Sequence, residues 1–115
     1  MLERDIEKHL VARVKELRGE IRKVHWGGRS KAPDRVVMLP YRSERMAAAL
    51  KHFNLPTDHL GSRTLWVELK NPETIRHFPS NAHERAQHRE HERMRAVGQT
   101  VLVLGTIEQI DEALA

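Results

Sequence analysis

Three charged residues in this sequence have the types and the spacing of a hydrolytic metal site. Glu68 and Lys70 lie two positions apart in the run 66–70, and Asp34 immediately precedes a second apolar run at 35–39. Residues two apart in a β-strand point to the same face of the sheet, so the carboxylate and the ammonium should lie together. Burying such charges is unfavourable unless they are paired, hydrated or bound to a metal. The strand that carries them therefore indicates a site of chemistry.

A divalent cation bound between the Asp34 and Glu68 carboxylates would offset their electrostatic repulsion. Neighbouring strands lie about 4.8 Å apart, so Asp34 and Glu68 meet if their strands pair. Mg²⁺ prefers hard oxygen ligands and retains water, and the backbone carbonyl of Leu69 offers a further oxygen. Lys70 then has the position to orient or deprotonate an attacking water. Taken singly these signals are weak, because a Pro-Asp turn or a solvated ion pair is common, but together they predict a metal-dependent nuclease site.

Helical and strand periodicities supply the elements that hold these residues. Apolar spacing predicts an amphipathic helix over residues 2–17, with Glu3 at the edge of its buried stripe. Glu3 has two interpretations: it reaches into the fold, or it is a first-turn acid favoured by the helix dipole. The other predicted elements are an edge strand at 20–26, a central strand at 35–39 covered on both faces, a helix at 43–53, strands at 64–70 and 100–104, a helix at 82–97, and a last helix to 114 capped by Thr106.

The helix at 82–97 is predicted to cover the site strand. Its inward stripe should hold Gln87, Glu90 or His91, Met94 and Val97, which would let Gln87 position a water or a phosphate. Asn81 with Glu84 is typical of a capping pair at its start. The histidines at 83, 88 and 91 suggest zinc, but without converging ligands a solvated or DNA-facing surface is favoured.

Length, composition and charge bound the class of protein. The 115 residues predict one domain, and the absence of cysteine excludes disulfides and a thiolate zinc site. With 20 Lys and Arg against 16 Asp and Glu, the net charge of +4 favours a polyanionic partner. The N-terminal residues lack a signal peptide's apolar core, and no apolar run approaches the ~20 residues of a membrane span. We expect no membrane association and a cytoplasmic location, in a bacterial cell or a phage-infected host.

Basic residues are predicted around the mouth of the site. They would contact phosphates without reading sequence, although ordinary solvated charges are an equal alternative. Trp26 suggests stacking on an unpaired base, but packing in the core or at its rim is favoured. The predicted phosphate contacts are Arg22, Lys23, Arg29, Lys31 and Arg35.

Taken together, the motifs resemble the VRR-NUC domain, a compact branch of the PD-(D/E)xK nuclease superfamily, over nearly the whole chain. The small stand-alone phage or bacterial members are the most similar type. The matching segments are Glu3 within residues 2–7, Gly28-Arg29 followed by Pro33-Asp34-Arg35, residues 67–70, residues 87–91, and residues 94–98 before a closing hydrophobic strand.

The resemblance implies a fold, a site and an activity. The implied fold is an α/β restriction-endonuclease-like core, a mixed central sheet flanked by helices, spanning residues 1–115 as a single domain. Asp34, Glu68 and the Leu69 carbonyl would bind Mg²⁺ or Mn²⁺, Lys70 would be the catalytic lysine, and Glu3 and Gln87 would join the site. The implied activity is cleavage of DNA phosphodiester bonds, with homodimers acting on branched DNA such as four-way (Holliday) junctions.

Two departures from the family pattern affect these expectations. Lys31-Ala32 stands where the family often has glycine, and a long connection at 41–63 replaces a short turn. The connection has three interpretations, a dimerisation element, a DNA-facing wedge or a surface helix, and dimerisation is favoured because the segment is more apolar than a monomer of this size needs to expose. Its apolar residues are Met46, Leu50, Phe53 and Leu55. The alternatives to a nuclease are a catalytically idle nucleic-acid-binding module on the same fold and a basic structural domain without a DNA role.

Overall fold

The computed structural model describes residues 1–40, 51–54 and 63–115. Its elements follow the predicted order, with one additional single-turn helix. They are α1 (Glu3–Glu16), β1 (Glu20–Lys23), β2 (Arg35–Leu39), β3 (Arg63–Leu69), α2 (Pro72–Ile75), α3 (Ala82–Ala96), β4 (Val101–Leu104) and α4 (Ile107–Ala113).

Most of the predicted insert falls outside the described residues. The predicted helix at 43–53 lies largely beyond them, as do Met46, Leu50 and Leu55. Phe53 is described, and 69% of its surface is exposed. The dimerisation role of the insert therefore stays a prediction.

The four strands form one mixed sheet in the order β1-β2-β3-β4. β1 pairs antiparallel with β2, and β2 pairs antiparallel with β3, while β3 and β4 are parallel. A parallel pair needs a crossover connection, which the segment containing α3 provides. The mixed sheet with flanking helices confirms the predicted fold class and the edge position of β1.

One face of the sheet packs on α1 and α4. The helical stripe Ile6, Leu10 and Val14 is fully buried against alternate residues of β2, β3 and β4, as its periodicity predicts. α1 ends at Glu16, and Arg18, two residues later, reverses the chain with a φ of +61°. The next residue, Gly19, lies so close to β2 that a Cβ there would be 2.6 Å from the Met38 carbonyl oxygen. This close approach explains why glycine follows the helix.

The opposite face of the sheet is covered over β3 and β4 by α3, whose buried residues are all polar: Glu84, Gln87, Glu90 and His91. Soluble helices usually bury apolar stripes, so a polar inward stripe indicates a functional surface. The prediction for Val97 is wrong, because it follows the last helical turn and is 76% exposed. The prediction that β2 is covered on both faces is also wrong, since Met38 is 40% exposed beyond the reach of α3.

Candidate active site

Asp34 and Glu68 stand opposite each other at the end of the β2–β3 ladder. Arg35 pairs with Val67 in the antiparallel register, so the next position along that register sets Asp34 against Glu68. Directly opposed residues have Cα atoms about 4.5–5.5 Å apart and project to the same face. Glu68 is buried, whereas Asp34 remains open to solvent. The register thus assigns both side chains to the sheet face that α3 covers.

The spacing of α3 matches the spacing of β3. Four residues of helix rise about 6 Å, and two residues of strand rise about 6.6 Å, so side chains at these intervals can pair one to one. The Lys70 Nζ donates to the Gln87 Oε1 at 2.8 Å. One turn further along the helix, His91 Nε2 lies 3.6 Å from Glu68 Oε1. Gln87 is therefore inward, as predicted, and its observed partner is Lys70.

His91 lies on the inward stripe of α3, where the helical spacing predicts either it or Glu90, and both are buried. The surface position favoured for the histidines at 83, 88 and 91 is therefore wrong for His91, whose side chain is fully buried. Neither ring nitrogen has a hydrogen-bond partner within the described part of the chain. An unpaired buried polar group is unfavourable, which makes this imidazole exceptional. The spacing agrees with this position, because residues four apart share a helix face and Gln87 is also inward.

Phe78 contacts both His91 and Lys70, one residue from each of the two pairs that join α3 to β3. Its ring stacks on His91 with centroids 6.2 Å apart and planes inclined by 24°. The same ring lies 5.4 Å from the Lys70 Nζ, within the range of a cation–π contact. The loop between α2 and α3 therefore fixes both His91 and Lys70 laterally.

Glu3 approaches the site from the first turn of α1. Partial burial raises the pKa of its carboxyl, the Lys70 ammonium lowers that pKa, and the carboxylates of Glu68 and Asp34 raise it again. These influences require all three groups to lie within electrostatic range of Glu3. The side chain stays exposed. Glu3 is thus an exposed first-turn acid within electrostatic range of Lys70, Glu68 and Asp34, and its entry into the site stays a prediction.

The prediction that Arg35 contacts DNA phosphates is wrong, because its side chain is buried. It is 8% exposed, and its Nη1 and Nη2 lie 2.9 Å from Asp34 Oδ2 and 3.0 Å from Glu7 Oε1. Arg35 lies on the sheet face opposite Glu68, and its guanidinium, held between two carboxylates, orients Asp34 from that side. The prediction failed because alternation assigns a face to Arg35 without revealing the acidic residues of α1 that meet it there.

The remaining predicted phosphate contacts do not form one cluster. In the sheet register Arg22 shares the face of Trp66 and Glu68, whereas Lys23 shares the opposite face with Arg35. Arg22 is exposed and pairs with Glu20. The two others, Arg29 and Lys31, lie on the loop that leads to Asp34.

Trp26 anchors the loop that delivers Asp34. Its Nε1 donates to the Pro33 carbonyl oxygen at 2.7 Å, and its ring lies 5.3 Å from that of Trp66. Trp66 in turn donates to Gln99 at 2.9 Å. The favoured packing interpretation of Trp26 therefore agrees with its contacts, and the pair positions Asp34 beside β3.

The donor set fits a hard divalent cation. Among residues 1–40, 51–54 and 63–115, no group of three or more His, Asp or Glu side chains is arranged to hold a metal ion. The carboxylates of Asp34 and Glu68 are hard oxygen ligands, which suit Mg²⁺ or Mn²⁺ with several retained waters better than they suit a histidine-rich centre. No helix within the described ranges is long and apolar enough to span a membrane.

Comparisons with known proteins agree with this arrangement. No family model and no curated protein matches the chain. A solved structure described as "VRR_NUC domain" superimposes with a TM-score of 0.65 and 29% sequence identity. The match covers 97% of this chain and 92% of the other, so the two share their architecture from end to end.

Proposed function

We propose that this chain, which is a VRR-NUC domain, is a divalent-metal-dependent endonuclease that hydrolyses phosphodiester bonds in DNA. The observation that carries the proposal is the paired geometry of β3 and α3, with Lys70 bound to Gln87 beside the facing carboxylates of Asp34 and Glu68. A domain that only binds DNA has no need to bury an acid and a base at one point.

Each residue of the site has a distinct role in this proposal. Asp34, Glu68 and the Leu69 carbonyl would hold Mg²⁺ or Mn²⁺, with Glu3 at the border of the site. The bound ion supplies Lewis acidity and lowers the pKa of coordinated water. Gln87 accepts one hydrogen of the Lys70 ammonium, which leaves two N–H donors for the attacking water and a phosphate oxygen. The Gln87 amide nitrogen, which makes no hydrogen bond within residues 1–40, 51–54 and 63–115, would donate to the same phosphate.

The proposed substrate is branched DNA, and the proposed active form is a homodimer. One site cuts one strand, so symmetric incision of a four-way junction requires two sites related by a two-fold axis. The shape of the junction, not its sequence, would be recognised, because the basic residues near the site suit phosphate contacts.

A cleavage panel tests the proposal. Four-way junctions, flaps, gapped duplex and linear duplex are incubated with Mg²⁺, Mn²⁺ or EDTA, and the products are resolved on denaturing gels. We expect incision of the branched substrates with either metal and none with EDTA. Salt-dependent binding without incision in any metal would instead support the idle binding module, and equal incision in EDTA would contradict the metal site.

His91 is proposed to orient the Glu68 carboxylate, since it is the buried imidazole nearest to that ligand. His91→Phe keeps the ring that stacks on Phe78 but removes the N–H, and we expect the Mn²⁺ affinity to fall about 10–100-fold, as for other partners of metal ligands. His91→Gln, whose amide can occupy the position of Nε2, should stay close to wild type. Calorimetric Mn²⁺ titration measures both. Equal affinities of His91→Phe and wild type would contradict the role.

A further inference from the structure

A second polar groove lies between the loop at residues 28–31 and the outer side of α3. It encloses about 170 Å³, and its charged lining consists of Arg29, Lys31, Arg89, Arg93 and Glu90. Four cationic side chains against one carboxylate leave a net charge of +3. We call this feature the loop–helix groove. Its charge suits an anionic ligand.

Glu90 organises the groove without neutralising it. Its carboxylate is 8% exposed and lies 2.9 Å from the Nη2 of Arg93 and 3.6 Å from the Nη1 of Arg29. Both arginine side chains nevertheless remain about 60% exposed, with 59% for Arg29 and 62% for Arg93. A buried carboxylate that holds two exposed guanidinium groups at fixed positions pre-organises them for a ligand.

Two further cations have no acidic partner. In the described portion of the molecule the side chain of Arg89 is exposed and makes no hydrogen bond or ion pair. Lys31 contacts His83 Nδ1, a neutral acceptor when the ring is unprotonated. An unpaired guanidinium at the edge of a pre-organised pair is available to bind phosphate by two parallel hydrogen bonds.

The two segments that line the groove, the loop at 28–31 and α3, also carry residues of the candidate active site. The loop at 28–31 continues into Pro33 and Asp34, and on α3 the groove residue Glu90 directly precedes His91. Along α3, Arg89 and Arg93 each lie two positions from a residue that faces the site, Gln87 or His91. A DNA strand with a phosphate in the active site would therefore pass close to the groove.

We propose that the loop–helix groove binds the sugar–phosphate backbone of DNA next to the scissile bond, with Arg89 and Arg93 as phosphate contacts. The inference rests on the proposed nuclease function and extends it, since it assigns the path of the substrate strand. Among the described residues that line the groove, none is aromatic, so base stacking is not expected. The expected contacts are to phosphates and are independent of sequence.

Salt-dependent binding tests this path without cleavage. A fluorescent four-way junction is titrated with protein in EDTA at several KCl concentrations, and anisotropy gives the affinity. For Arg89→Ala combined with Arg93→Ala we expect at least a tenfold loss of affinity and a decrease of about 2 in the slope of log affinity against log salt. The matched control is Lys8→Ala combined with Lys15→Ala, two exposed charges on α1, which should leave the slope unchanged.

The outcomes separate this inference from the proposed function. Wild-type affinity and slope in the double variant would overturn the groove while leaving the nuclease proposal intact. No salt-dependent binding by the wild-type protein would instead contradict the nuclease proposal. Arg89→Ala alone, which removes no internal contact, should lower the slope by about 1 and so guards against a folding defect. A loss that differs between junctions of unrelated sequence would also overturn the assignment.

Discussion

Replacing Lys70 with methionine should reduce DNA cleavage by a factor on the order of 10³, within the 10²–10⁴ range typical of a general acid or base. The side chain keeps its length and its contact with Phe78, but the ammonium that Gln87 orients is removed. The attacking water and the phosphate then lose a positioned donor. The measurement is the single-turnover incision rate of a branched substrate at saturating Mg²⁺.

Binding measurements on the same variant identify the cause of the loss. Mn²⁺ affinity should be equal to that of wild type or tighter, because a cation next to the metal ligands has been removed. Lys15→Met, the same substitution at an exposed position on α1, should cleave normally. A Lys70→Met rate within tenfold of wild type would contradict the catalytic role.

Replacing Glu68 with glutamine should abolish stabilisation by the metal. A ligand that binds only the folded state stabilises it by about 2.7 kcal/mol at a concentration 100 times its Kd. Wild type should show this increase in the free energy of unfolding on addition of Mn²⁺, and Glu68→Gln should not. Without metal the variant should be at least as stable as wild type, since one of two facing carboxylates has lost its charge.

Denaturant unfolding with and without Mn²⁺ measures both effects. Asp34→Asn should give the same result as Glu68→Gln, because the two carboxylates share the proposed ion. Glu112→Gln, an exposed position on α4, is the matched control and should respond to Mn²⁺ as wild type does. If Mn²⁺ stabilises Glu68→Gln as strongly as wild type, the ion binds elsewhere.

Local patterns account for most of the fold and for the centre of the site. The stripe of α1 places Ile6 and Leu10 in the core, and Asn81 and Thr106 cap their helices by accepting from the backbone amides of Glu84 and Gln109. Alternation along β3 puts Glu68 and Lys70 on one face. These features depend on residues within one turn or a few positions of each other, so sequence periodicity suffices to predict them.

The surroundings of that centre depend on which elements meet and in what register. The burial of His91, the pairing of Arg35 with Glu7 and the separation of Arg22 from Lys23 all result from contacts between distant segments. A periodic pattern assigns each side chain to a face of its own helix or strand, but the charge or ring that it meets there belongs to another element.

The Glu68 and Lys70 pair could therefore be identified in the sequence as a site of chemistry. The contacts of that pair with His91 and Gln87 could be seen only in the structure. They depend on α3 packing along β3 in the register that sets Gln87 against Lys70 and His91 against Glu68, where four residues of helix and two of strand cover nearly the same length.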